Sequence, residues 1–314
     1  MWSKMKLLRI NFTFLLLFTF LGANKALIEN ECASSALPVV LWHGMGDSCC
    51  FPFSLGSIKK LIEEHIPGVT VISLKIGNSL IEDYESGFFV HPNKQVEEVC
   101  QRLQNDPQLA GGFNAIGFSQ GGQFLRALVQ RCSSLQVKNL ISIGGQHQGV
   151  FGLPNCSSLS SKTCEYFRKL LNYAAYEKWV QNFLVQATYW HDPLNEDAYR
   201  AGSTFLADIN NERQINQDYI DNLKKLENFV MIKFLNDTIV QPKESSWFGF
   251  YAPGSDEEIV PLEKSRIYQE DRLGLKSLSL KMIECEGNHL AITKEWFINN
   301  IIPFINKINP DCKK

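Results

Sequence analysis

The chain has 314 residues, with 31 Lys and Arg against 33 Asp and Glu, for a formal net charge of −2. It has no basic block and no zinc-knuckle spacing, so nothing favours nucleic-acid binding, and no Cys/His group has the ligand spacing of a metal cluster. Residues 27–314 are enough for one large α/β domain with its own core.

The first 26 residues read as a secretory signal peptide. Lys4, Lys6 and Arg9 precede an apolar stretch over residues 10–21, and the small residues Gly22, Ala23 and Ala26 follow. The stretch is short for a membrane span, which leaves a signal anchor as the rival reading. A secretory route makes disulfides the default for the nine cysteines: Cys32, Cys49, Cys50, Cys100, Cys132, Cys156, Cys164, Cys285 and Cys312. The odd count leaves at least one thiol free or paired to another chain. Cys156 and Cys164 are spaced to close a small loop. Sequons at Asn155 and Asn236 are glycosylation candidates on the same condition.

Residues 37–42 read as a first buried strand, and the glycine-bearing loop from His43 to Ser48 follows it. Residues 57–65 are helical, 69–74 form a second strand and 79–90 read as loop. A helix begins at Asn93, with Val96, Val99 and Leu103 on one face and Cys100 on or beside it. Phe113-Asn114-Ala115-Ile116 is then a short buried strand, and Gly117-Phe118-Ser119-Gln120-Gly121 has the form G-x-S-x-G. Helical spacing resumes over 122–129, and strand, tight turn, helix is the context that makes the motif a nucleophile elbow. A side chain at Gly117 or Gly121 would crowd the neighbouring strand or helix. The strained turn pushes the Ser119 hydroxyl outward, and the helix start offers free N–H groups to a developing negative charge. A bridge from Cys100 to Cys132, just past this helix, would tie two helices flanking the nucleophile strand, although spacing does not fix it. Residues 137–145 repeat the strand-plus-glycine pattern, and the loop from Gln146 to Gly149 lines the site.

From 151 to about 226 the pattern changes to helical stretches without strand alternation. This is a helical cap insertion over the substrate, or else a peripheral decoration. Residues 229–235 return to strand and end in Asn236-Asp237-Thr238. The aromatic run containing Trp247, Phe248 and Phe250 is either core or one wall of an apolar acyl site. Residues 278–285 are the last strand, His289 lies in the loop after it, and a closing helix over 296–305 is interrupted near Pro303.

Ser119, Asp237 and His289 stand in the order nucleophile, acid, base, each at the predicted C-terminal end of a core strand, where open α/β sheets place their chemistry. That order is the one used by the α/β-hydrolase fold, a mostly parallel sheet flanked by helices. His289 would take the Ser119 proton and later deliver it to the leaving group, while Asp237 would hold the imidazole tautomer. The backbone N–H groups of Met45 and Gln120 would form the oxyanion hole. His43 and His147 are rival bases, though His43 precedes the serine and reads as structural; Asp192 and Asp256 are weaker acids without a preceding core strand. Asn236 can carry a sugar beside Asp237 only if the two side chains point oppositely, which extended chain permits.

The chain resembles the lysosomal palmitoyl-protein thioesterase family over nearly all of its mature length. The resemblance rests on Val40-Leu41-Trp42-His43-Gly44-Met45-Gly46-Asp47-Ser48-Cys49-Cys50, Gly117-Phe118-Ser119-Gln120-Gly121-Gly122 and Ile143-Gly144-Gly145-Gln146-His147-Gln148-Gly149-Val150. Phe234-Leu235-Asn236-Asp237-Thr238, Trp247-Phe248-Gly249-Phe250-Tyr251, Asp271-Arg272-Leu273-Gly274-Leu275 and His289-Leu290 extend it. It implies an enzyme that removes long-chain acyl groups, chiefly palmitate, from cysteines of S-palmitoylated proteins and peptides during lysosomal degradation. It also implies turnover of palmitoyl-CoA, sorting by the mannose 6-phosphate receptor, and a soluble monomer without cofactor or metal. The family roles fall on Ser119, Asp237, His289, Met45 and Gln120. The implied bridges are Cys49–Cys50, Cys100–Cys132 and Cys156–Cys164, which leaves Cys32, Cys285 and Cys312 unassigned. The rival functions are a lipase or phospholipase acting on oxygen esters and an inactive secreted lipid carrier.

Overall fold

In the computed structural model, residues 36–152, 171 and 173–306 are described. The strands are β1 (Val39–Trp42), β2 (Val71–Ser73), β3 (Phe113–Phe118), β4 (Val137–Ile143), β5 (Asn228–Phe234), β6 (Phe250–Tyr251), β7 (Ile259–Val260) and β8 (Leu280–Cys285). Six of them form one parallel sheet in the order β2-β1-β3-β4-β5-β8, and β6 and β7 form a separate antiparallel pair. β1 and β3 are buried at every position, which is why they read as unbroken apolar runs rather than as alternating strands.

Helices α1 (Leu55–His65), α2 (Leu80–Phe89) and α3 (Pro92–Gln104) precede β3, and α4 (Gln120–Arg131) follows it. Between β4 and β5 the described residues include α5 (Lys178–Phe183), α6 (Val185–Thr188), α7 (Glu196–Gly202), α8 (Leu206–Ile209) and α9 (Gln217–Leu223). The short α10 (Arg266–Gln269) comes before β8, and α11 (Lys294–Asn300) and α12 (Ile302–Ile305) follow it. The pleat divides the core in two. Val40, Trp42, Ala115 and Met231 pack with α3 and α4, while Val39, Leu41, Ile116 and Ile232 pack with α1, α11 and α12. This is the α/β-hydrolase fold with a helical insertion.

The sheet order also fixes where a ligand can bind. From β1 the chain moves out to β2 and then returns to β3 on the other side of β1. The crevice at the carboxyl ends of β1 and β3 is therefore a topological switch point. Leu41 pairs with Ile116 and Trp42 with Gly117, so the loops leaving the two strands start side by side.

Residues 79–90, read as loop from the sequence, are helix α2. Asp83, Ser86 and Gly87 are its buried positions, while Leu80, Ile81, Tyr84 and Phe89 are exposed. The amphipathic pattern is inverted, so apolar periodicity did not reveal a core-facing helix. The capping signal was present, because the Ser79 hydroxyl accepts from the Glu82 N–H at 3.1 Å.

The insertion is anchored rather than loosely attached. Phe205, Leu206, Ile209 and Leu223 belong to the main core, whereas Leu171, Val180, Leu184 and Trp190 form a small cluster of their own. Arg126 of α4 is fully buried and, among the described residues, has no carboxylate partner. It donates to Ile209 O, His147 O and Asn210 Oδ1, and its guanidinium lies 5.2 Å from the Phe248 ring centroid. Burial pushes its pKa down to about 9.

Cys100 and Cys132 are bridged between α3 and the end of α4, with Cα atoms 5.8 Å apart. Cys49 and Cys50 are bridged to each other, and Cys285 is a buried free thiol. The signal peptide, Asn155, Cys32, Cys156, Cys164 and Cys312 lie outside the described residues. The bridged cysteines are 32 positions apart, and a loop of that length restricts the unfolded chain by roughly 3–4 kcal/mol. A Cys100→Ser/Cys132→Ser variant should lose about that much stability in non-reducing urea unfolding. An unchanged midpoint would show that the bridge constrains little.

Candidate active site

Ser119 joins β3 to α4 with φ 50 and ψ −120, a left-handed conformation rarely adopted by residues with a side chain. The neighbouring glycines allow the turn. A Cβ on Gly117 would collide with the Gly122 nitrogen, and one on Gly121 with the carbonyl oxygens of Trp42 and His43. The Ser119 N–H donates to Ile143 O at 2.8 Å, which pins the turn to β4.

Ser119 Oγ lies 2.8 Å from His289 Nε2, and His289 Nδ1 lies 2.7 Å from Asp237 Oδ2. With Nδ1–H donating to the carboxylate, Nε2 is free to accept the serine proton. The Asp237 side chain is fully buried. Its Oδ1 accepts the N–H groups of Ile239 and Val240, so the carboxylate is held from both sides. Asn288 ties the two supporting loops together, its Oδ1 accepting from Thr238 N–H, Thr238 Oγ1 and His289 N–H. The His289 ring also rests over Gly144, whose ideal Cβ would stand 3.2 Å from it. Asn236 is exposed while the Asp237 side chain points in, so a sugar on one would not enter the site of the other.

The loop after β1 packs directly on the elbow, since an ideal Cβ on Gly44 would be 3.2 Å from Ser119 Cβ. Among the described residues neither Met45 N–H nor Gln120 N–H has an acceptor. Asp83, a residue that no sequence pattern singles out, organises this loop. It is fully buried and accepts from His43 Nε2 at 3.0 Å, Ile76 N–H at 2.7 Å, and Ser48 Oγ and Cys49 N–H at 2.8 Å each. The other His43 nitrogen, Nδ1, is 2.8 Å from Gly44 O. Both ring nitrogens thus face acceptors, an arrangement that favours the protonated ring, and His43 has a structural task. For each partner burial is the largest influence and opposes the charge. The hydrogen bond and opposite charge across the pair outweigh it, so His43 is raised and Asp83 lowered from their ordinary values.

His147 is not placed as a base. Its Nε2 meets Ser142 Oγ at 2.9 Å and its ring stacks on Phe248, 4.9 Å between centroids. Burial, aided by Arg126, pushes its pKa well down. Asp192 Oδ1 closes a local turn by accepting Leu194 N–H.

Trp247, Phe248 and Phe250 do not form one wall. Trp247 donates to Met231 O and carries the Lys233 ammonium over its ring; Phe248 is buried between His147 and Arg126; and Phe250 stacks on His191. The apolar surface beside the loop after β1 belongs to α2 and α5 instead. The Tyr84 and Phe88 rings lie against Gly46, and a continuous ring series runs Tyr84, Phe88, Phe89, Phe183. Gln120 Nε2 donates to Gly87 O and Tyr189 Oη, joining the elbow to α2 and to the insertion.

Residues 38–289 match the family model described as palmitoyl protein thioesterase. Palmitoyl-protein thioesterase 1 of Caenorhabditis elegans is 48% identical over 293 residues, covering 92% of this chain and 97% of the relative. Palmitoyl-protein thioesterase 3 of Dictyostelium discoideum is 44% identical, covering 78% and 81%. Lysosomal thioesterase PPT2 of Homo sapiens is 31% identical, covering 78% of each.

The His43–Asp83 pair gives stability a pH dependence of known sign. A raised His43 contributes fully below its ordinary value of about 6.5, and the contribution is lost as pH rises through its folded value. A lowered Asp83 contributes above about 3.9, and its share is lost as pH falls through its folded value. Thermal midpoints of the wild type should therefore drop between pH 6 and pH 9 by more than those of His43→Asn. Equal drops would remove the pair from the account. Asp83→Asn should cost about 3–5 kcal/mol, as expected for a broken buried ion pair.

Proposed function

The chain belongs to the palmitoyl protein thioesterase family, and from that premise we propose that it hydrolyses the thioester joining a long-chain fatty acyl group, palmitate above all, to a protein or peptide cysteine. The observation that carries the reading is the hydrogen-bonded series Ser119 Oγ, His289, Asp237 at the switch point of the sheet.

His289 Nε2 takes the Ser119 proton as Oγ attacks the thioester carbonyl. The resulting oxyanion meets the N–H groups of Met45 and Gln120, which have no acceptors to give up among the described residues. The C–S bond then breaks and the cysteine sulfur leaves, taking the proton from the His289 imidazolium. A thiol has a pKa of about 8.5, so this leaving group needs little acid help. Water, deprotonated by His289, then attacks the acyl-Ser119 carbonyl, the C–Oγ bond breaks, Ser119 Oγ takes the proton back from the imidazolium, and the fatty acid is released. Asp237 keeps Nδ1 protonated and stabilises the imidazolium in both halves.

The rings of α2 and Phe183 offer the acyl chain a path that begins at Met45. Each buried methylene is worth about 0.8 kcal/mol, so a sixteen-carbon chain supplies most of the binding and the attached peptide can vary. Palmitoyl-CoA presents the same thioester and chain. The signal-like leader, the exposed Asn236 and the family's lysosomal members support delivery to lysosomes through the secretory pathway, with mannose 6-phosphate as the sorting tag. Among the described residues no helix is long and apolar enough to cross a membrane.

A palmitoylated cysteine peptide and its matched serine ester, given to the wild type and to Ser119→Ala, test the proposal. Thioester cleavage should be preferred and should vanish in the variant. Preference for the ester would move the activity to the lipases, and no cleavage of either would leave a lipid carrier. In the same assay Asp237→Asn should lower kcat by about four orders of magnitude. Acetyl and palmitoyl thioesters of one peptide should differ widely in kcat/KM, and equal turnover would rule out an acyl-chain site.

A further inference from the structure

A cleft of about 360 Å³ opens between α7 and the β6–β7 hairpin, and Ser119, Asp237 and His289 do not line it. Its volume lies within the range of about 300–1,000 Å³ typical of small-molecule sites. Two acceptors in it lack a donor among the described residues. Gln148 is 5% exposed, and its Oε1 is shut from solvent with no hydrogen-bond partner among the described residues. Glu212 is 8% exposed and makes no side-chain hydrogen bond among the described residues. The Arg266 guanidinium stands 4.0 Å from it, and the Nε of that guanidinium is already bound to Glu270 Oε1 at 3.0 Å. Burial pushes the Glu212 carboxyl above its ordinary range. Glu196, in the same cleft, is satisfied by contrast. It accepts from His191 Nε2 at 2.9 Å and from Arg200 Nη1 at 3.0 Å.

The charges around the cleft narrow the chemistry of what could fill it. Arg200, Lys264 and Arg266 line its more exposed part, and the Lys264 ammonium has no partner among the described residues. These three cations oppose a bare cation, while Glu196 and Glu212 oppose a bare anion. An ammonium carried next to an anionic group answers both. Its three N–H donors suit Glu212 and Gln148 Oε1, and its anion suits Lys264 and Arg266. Tyr251, Val260 and Ile267 offer apolar surface to any attached side chain.

We propose that this cleft is a second, non-catalytic site that binds a small zwitterion through Glu212 and Gln148. The zwitterion can come from an amino acid or from a phospholipid headgroup, and the proposal does not depend on the thioesterase reading. Calorimetric titration of the full chain, with Ser119 blocked by a phosphonate, tests it using L-leucine and phosphoethanolamine as probes. One of them should bind with a stoichiometry of one. Better binding of leucine points to an amino acid, and better binding of phosphoethanolamine to a headgroup. N-acetyl-L-leucine and glycerol phosphate, which lack the ammonium, should not bind. Glu212→Gln should weaken binding by about tenfold or more, equivalent to about 1.4 kcal/mol, and Gln148→Met should act in the same direction. If Glu212→Gln does not fold, Gln148→Met decides alone. Binding that survives the variants, or no binding of either zwitterion at about 20 mM, overturns the proposal.

Discussion

The close approach of β1, β3 and the start of α4 is the constraint on which the other features depend. The helix start stands so near the end of β1 that only hydrogen fits at Gly121. This proximity holds Ser119 at φ 50 and brings Gly44 against its side chain. It also sets the N–H groups of Met45 and Gln120 beside the proposed nucleophile, with no acceptors of their own among the described residues. Surrounding packing maintains the strained residue, which is the usual condition for strain to persist at a reactive centre.

Two buried charges stabilise the elements around that elbow in different ways. Among the described residues Arg126 has no carboxylate partner and rests on carbonyl and amide oxygens from the loop after β4 and from the end of α8. It thereby joins α4 to the insertion. Asp83 gathers the His43 ring, two backbone N–H groups and a hydroxyl, joining α2 to the loop after β1. Each charge is paid for by donors or acceptors that arrive from distant parts of the chain. Neither group can be removed without leaving several buried polar atoms unpaired.

Because Asp83, Ser86 and Gly87 face inward, the outer face of α2 is left apolar. A surface that is unfavourable in water is useful beside a site proposed to receive a long acyl chain. The insertion completes the same edge through Tyr189 and Gln186, which reach Gln120 and Gly87. The part of the insertion nearest the site therefore shares hydrogen bonds with the elbow and with α2.

The buried strands, the elbow and the order of the candidate triad were legible in the sequence by itself. Strands covered on both faces must be apolar throughout, a tight strand-to-helix turn must have glycine where backbones meet, and strand ends bring the reacting residues together whatever their separation in the chain. Three matters were decided only by the tertiary structure. Residues 79–90 are a helix because their polar positions find partners inside, which inverts the pattern that periodicity detects. Trp247, Phe248 and Phe250 go to three different neighbourhoods because an aromatic run carries no information about which face each ring will meet. Asp83 became a hub only when residues 43, 48, 49 and 76 were folded around it. A local pattern reports what a residue requires, and the packing of remote segments determines which partner supplies it.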